Sequence, residues 1–153
     1  MSHTQVVALQ AKVFLEAYET LDNSMYRKVQ QGDLHFKVPI PERIPIVTAA
    51  ITCIAFATEI AIKALIVHSA SGNLAACPKN MHDLGELFKK VPDGLRAVIA
   101  KELKKSLPEV EENLEKNAKA FVKWRYSYES GAWADEKFLH SFVKVALAQI
   151  NNS

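Results

Sequence analysis

Cysteine is scarce in this 153-residue chain, which holds only Cys53 and Cys77. Two thiols cannot build a disulfide framework or a four-cysteine metal site. Glycine and proline are scarce too, at 5 and 6 residues, far below the content of linker-rich or disordered chains. No sign of charge dominates. Lys and Arg number 19 against 17 Asp and Glu, a net charge of +2, too small by itself to argue for nucleic acid. The opening residues MSHTQVVALQAK carry neither the basic segment nor the apolar core of a signal peptide, so a reducing, cytoplasmic setting is expected. HExxH, paired-cysteine spacing, GxSxG, a phosphate-binding glycine loop and a dinucleotide fingerprint are all missing. The familiar hydrolases and nucleotide-cofactor enzymes are thereby excluded, and neither a metal nor a cofactor is expected.

What is present suits one domain over residues 1–153. Apolar residues make up 49% and charged residues 24%, and a chain of this length buries roughly two-thirds of its unfolded surface. The most apolar stretch, Ile46 to Val67, holds Glu59 and Lys63 at its centre. Each charge costs about 2.5–3.5 kcal/mol at mid-bilayer depth. The uncharged run Ile44–Thr58 is also shorter than the about 20 residues a span requires. A helix apolar nearly all round is then the central helix of a bundle, with no membrane partner.

Periodicity predicts helices from end to end. Val6, Val13, Phe14, Ala17, Leu21 and Met25 mark a first helix over 4–30, stopped by Gln30-Gln31-Gly32-Asp33. Pro39, Pro41 and Pro45 predict an irregular connection over 34–46, with Pro45 in the first turn of a second helix reaching His68. The stretch SASGNLAACPKN reads as a loop, and Asn80 as the cap of a short helix striped by Leu84, Leu87, Phe88 and Val91. Asp93 is expected to cap a helix carrying Leu95, Val98, Ile99 and Leu103. Ser106-Leu-Pro-Glu starts another through Val110, Leu114, Ala118, Phe121, Arg125 and Tyr128, ended by Gly131. Asp135 caps the last, with Phe138, Leu139, Phe142, Val143, Ala146 and Ile150 inward. No period-two run suggests a strand. The expected class is all-α, an antiparallel four-to-five-helix bundle.

Polar residues on faces expected to be apolar are the candidates for function. Glu59 and Lys63 lie four apart on the central helix, and Arg125 lies between Phe121 and Tyr128 with Glu129 one turn on. A buried charge must pair, hydrogen-bond or open to a cleft. Two arrangements meet that demand. One is a structural network, Glu59 with Arg125 and Lys63 with Glu129. The other is a polar cleft that binds an anion or performs acid–base chemistry.

Trp124, Tyr126, Tyr128 and Trp133 cannot all face one core, which favours a subunit contact over base stacking. Lys89, Lys90, Arg96, Lys101, Lys104 and Lys105 precede Glu109, Glu111, Glu112 and Glu115. That run reads first as a solvated face and second as a phosphate-binding patch. His82-Asp83 is a lone pair in which Asp83 serves the first-turn amides of the next helix.

FATEIAIKALIV (56–67), MHDLGELFKKVPDGLRAVI (81–99) and FVKWRYSYES (121–130) occur in that order. Together they resemble the HEPN family (higher eukaryotes and prokaryotes nucleotide-binding domains) over roughly 45–130. The resemblance implies a HEPN-like bundle that dimerises across the arginine-bearing helix. Many such proteins are metal-independent endoribonucleases of toxin–antitoxin, phage-defence and CRISPR-associated systems. Their signature is an arginine, four to six residues, then a histidine, acting on the RNA phosphate and the attacking 2′-hydroxyl. Arg125 matches the arginine, but no histidine follows until His140. The expectation is therefore a homodimeric RNA- or nucleotide-associated module, with an antitoxin protein as a further partner, that binds rather than cleaves. The alternatives are a ribonuclease with a variant site of Arg125, Tyr128, Glu129 and His82, or a purely structural dimerisation bundle. Glu59, Lys63, Trp124 and Tyr126 would bind or orient.

Overall fold

Thirty residues of continuous helix, Ile40–Ser69 (α2), run through the centre of the protein. A computed structural model describes residues 1–28, 34–36, 40–118 and 134–151, the side chains of 25–28, 34–36 and 40–45 excepted. Besides α2, the α-helices among the described residues are α1 (His3–Met25), α3 (Leu84–Phe88), α4 (Asp93–Glu102), α5 (Leu107–Lys116) and α6 (Glu136–Asn151), and a 3-10 turn at Leu74–Ala76 lies within the expected loop after α2. The chain is all-α in class.

Packing around α2 sets the architecture. Ala50, Ile54, Ala57, Ala61, Ile62, Ala64, Leu65 and Val67 are buried on several faces of it, and its alanines let neighbouring backbones approach closely. α1 runs antiparallel to α2, with His3 Nδ1 at 3.2 Å from the Gly72 carbonyl and Phe14 stacked on Phe56 at 5.2 Å. α6 packs mainly on α2 and less extensively on α1, and Phe142 meets Phe88 of α3 edge-on at 5.5 Å. Among the described residues, Ile46–Ser69 alone is long and apolar enough to cross a membrane, and 72% of its apolar window is buried within the protein. Thr58, fully buried there, donates its hydroxyl to the Ile54 carbonyl at 2.7 Å.

Helix ends follow local chemistry. Ser106 and Glu109 form the expected capping box of α5, and Asp135 Oδ1 accepts from the Phe138 amide at 3.0 Å to start α6. Gly85 is required by a close approach: a Cβ there would lie 2.8 Å from Glu115 Cγ of α5. Asn117, fully buried, accepts from the Asp135 amide at 2.9 Å and ties the end of α5 to the start of α6.

Several boundaries differ from expectation. α1 stops at Met25, where Tyr26–Lys28 (β1) pairs antiparallel with Leu34–Phe36 (β2), Tyr26 opposite Phe36. Three-residue strands are too short to leave a period-two signal. α2 begins at Ile40, not Pro45. Pro41 occupies its first turn, where an amide donor is dispensable, and a long packed helix tolerates the donor lost at Pro45. Asp83, not Asn80, is the N-cap of α3, accepting from the Glu86 amide at 3.0 Å. Asp93 is not a cap but the first residue of α4, with Pro92 before it. The helix expected to run past Arg125 ends at Lys116, with Asn117 as its C-cap. Val6, Val13 and Val98 are exposed. The inner face of α1 is instead Thr4, Ala11, Leu15 and Tyr18, a rotation chosen by α2 and α6 together.

Phe142 is fully buried between Phe88 and Phe138. Phe142→Ala is expected to cost about 3–5 kcal/mol, and Ser106→Ala about 1 kcal/mol, both measured by urea unfolding. Equal small losses would contradict this assignment of the core.

Candidate functional site

The acid on the central helix gathers a lysine and a histidine. Glu59 projects from the middle of α2 with its side chain 8% exposed. Lys63, one turn on, donates its ammonium to Glu59 Oε1 at 2.7 Å. The i, i+4 spacing with the acid N-terminal brings the two together on one stripe. The His82 ring reaches the same oxygen from outside α2, Nδ1 to Oε1 at 3.0 Å. Two polar side chains from two parts of the chain thus converge on one carboxylate.

Local structure holds the histidine in place. Asp83 next to it caps α3, while Leu84 and Leu87 bury the start of that helix against the core. The segment bearing His82 is therefore pinned immediately beyond the imidazole. An ionised carboxylate only accepts, so Nδ1–H is the donor and Nε2 is the outward nitrogen. His82 is 61% exposed and Lys63 only 15%. The carboxylate and ammonium form the floor, and the imidazole is the accessible edge.

Cys77 feels the same pair. Burial pushes its thiol above the ordinary range; Lys63 pulls the other way and Glu59 adds to the rise. Burial also raises the thiol of Cys53, which packs against the core. Both sulfurs are thus poorer sources of thiolate than an ordinary cysteine. Among the described residues, no group of three His, Cys, Asp or Glu side chains is placed to hold a metal ion.

Of the residues singled out from the sequence, Glu59, Lys63 and His82 come together. Arg125, Tyr128, Glu129, Trp124 and Tyr126 lie outside the described residues, and with them the pairings of Glu59 with Arg125 and Lys63 with Glu129. The basic run of 89–105 does not form a free patch at two of its members. Arg96 is clamped by Asp93 and Glu111. Lys89 bonds Glu86 at 2.9 Å and Glu115 at 3.2 Å, and those carboxylates hold its ammonium above the usual lysine range.

The sequence reading left His82 without a link to Glu59 and missed a second polar cluster, in which His140 meets Glu19 and Tyr18 meets Glu136. Their separation in the chain hides both contacts, and no motif marks them. Compared with models of protein families, with curated proteins and with solved structures, the chain matches none.

Lys63→Met leaves the buried Glu59 carboxylate with one exposed imidazole as its described partner. Breaking a buried pair from one side costs about 3–5 kcal/mol, and the remaining contact places the expected loss near the lower figure. His82→Ala is expected to cost under about 1 kcal/mol, as for an exposed pair. Urea midpoints of the two variants check the ranking; an equal or inverted order would contradict it.

Proposed function

We propose that this chain is a HEPN-like helical module of a prokaryotic defence or toxin–antitoxin system. It associates with RNA or a nucleotide, works in the cytoplasm as a homodimer, and pairs with an antitoxin protein. The observation that carries the reading is the exposed His82 imidazole seated on the buried Glu59 carboxylate, with Lys63 behind it. An imidazole that carries a proton on its outward nitrogen donates to a phosphate oxygen, and because Lys63 is paired with Glu59 the charge on which phosphate binding mainly rests comes from Arg125. The all-α frame and the order of the three resembling segments support the same reading. Arg125 supplies the guanidinium for the anion, with Trp124 and Tyr126 at the dimer contact.

A second reading, metal-independent endoribonuclease, is favoured by one feature of the same site. A carboxylate that fixes Nδ1–H leaves Nε2 as a positioned proton acceptor, the arrangement general base catalysis requires. His82 then stands in for the histidine absent after Arg125. Its Nε2 takes the proton of a 2′-hydroxyl as that oxygen attacks the adjacent phosphate; the P–O5′ bond breaks, and the leaving 5′-oxygen takes a proton from the imidazolium so formed or from water. The Arg125 guanidinium offsets the charge that develops, and Tyr128 and Glu129 complete the site.

Purified protein incubated with total RNA and a chelator separates these readings. Gel shifts that weaken with salt, without cleavage, and are reduced in His82→Ala and Arg125→Ala support binding. Cleavage in chelator that is lost in both variants supports the ribonuclease. Intact RNA with no shift, together with melting temperatures lowered in Arg125→Ala, would overturn both and leave a structural bundle.

A further inference from the structure

The outward side of α1 is less polar than a helix face in water ordinarily is. Among the described residues, the large apolar side chains left exposed are Met1, Val6, Leu9, Val13, Leu74 and Val98. Val6, Leu9 and Val13 are 43%, 46% and 56% exposed, and spacings of three and four put them on one stripe of α1. Scattered apolar residues need no explanation, but an aligned set beside a groove marks an interaction site. The groove here is the seam between α1 and α6. At one end a cleft of about 490 Å³ is lined by Gln5, Leu9 and Lys12 of α1 and by Leu147 and Ile150 of α6. At the other end a cleft of about 420 Å³ is lined by Glu19, Asp22, Lys137 and His140.

We propose that a second copy of this chain docks on this seam, its α1 antiparallel to that of the first across a two-fold axis near Val13. The charges of α1 are arranged for that occupant. Residues 3–12 hold His3 and Lys12 and no carboxylate, whereas 13–25 hold Glu16, Glu19 and Asp22 and no Lys, Arg or His. A two-fold interface sets one patch against itself, so the surface must complement its own reverse. Turned end for end, the acid-free half of one α1 faces the base-free half of the other. A uniformly acidic or uniformly basic partner would suit only one half, and a parallel pair would set acid on acid.

With Val13 on the axis, it meets its own copy, and Leu9 faces Ala17 of the partner subunit. Val6 faces Thr20 of the partner subunit, and Lys12 comes within a turn of Glu16 of the partner subunit. Lys12 and Glu16 lie 3.8 Å apart within one helix, each 62% exposed, so both are open to a partner. The 23 residues of α1 run about 34 Å, and with the flank of α6 the strip is about 20 Å wide. That gives on the order of 700 Å² per copy, close to the about 800 Å² that a standard interface takes from each partner. The contact is separate from the one at Trp124 and Tyr126 proposed above, and neither requires the other.

Light-scattering mass of the full chain over a range of concentrations tests the interface. The variants are Leu9→Glu/Val13→Glu on the stripe and Trp124→Ala/Tyr126→Ala at the other contact. The stripe variant is expected to halve the wild-type mass while keeping its far-ultraviolet helix signal, since both side chains are exposed. Lys12→Glu, which sets acid against the partner's Glu16, is a milder variant expected to weaken association roughly two- to five-fold. Nitroxides at Gln10→Cys and Asn23→Cys, with Cys53→Ala and Cys77→Ser, report orientation. An antiparallel pair centred on Val13 sets the labels at 23 roughly 20 Å farther apart than those at 10. A monomeric wild type, equal label separations, or a mass that falls in Trp124→Ala/Tyr126→Ala but not in the stripe variant would overturn this interface. The last of these would leave the other contact standing.

Discussion

The buried surface of α2 is the constraint on which the rest depends. A helix apolar on nearly every side cannot lie on the outside of a small protein in water, so neighbours must cover it. α1 lies along it antiparallel, α6 fills the second side, and α3 caps the region where Phe88 meets Phe142. The short helices have little independent stability, because isolated helices under about 12–15 residues are marginal in water. α3 and α5 persist through caps and contacts: Asp83 and the Ser106 capping box at their starts, and the close approach at Gly85 between them.

Placing an acid in such a helix has consequences well beyond its own turn. Glu59 cannot be left alone at 6% exposure, since desolvating an unpaired charge costs several kcal/mol. Lys63 answers this from within α2, and His82 from the segment that leads into α3. The requirement to neutralise one carboxylate therefore helps dictate where that segment crosses α2. The arrangement does not need a function to exist. Its outward histidine is the feature on which the proposed function rests.

The proposed reading joins that site to the resemblance seen in the three ordered segments. The resemblance supplies an arginine and a dimer; the geometry supplies an imidazole oriented by a carboxylate. Neither depends on a metal or a conventional nucleophile, consistent with two cysteines whose thiols are pushed upward by burial. The Tyr18–Glu136 and His140–Glu19 contacts belong to a separate junction, between α1 and α6.

How much could be read in advance depended on the range of the interaction. The all-α class, the central position of 46–68, the α5 capping box, the Asp135 cap and every inward residue of α6 were legible, because 3.6-residue periodicity and helix-end chemistry act within a few positions. The Glu59–Lys63 contact belongs to that group, since it closes across one turn. Where α1 ends, which way its apolar face turns, and why α5 stops at Lys116 were not legible. Each depends on a partner far away in the chain: a strand at 34–36, the flanks of α2 and α6, or the Asp135 amide that Asn117 accepts from. His82 beside Glu59 and His140 beside Glu19 are of this second kind. Local pattern could name the ionisable side chains, but only the crossing of packed helices brings one within hydrogen-bonding distance of another.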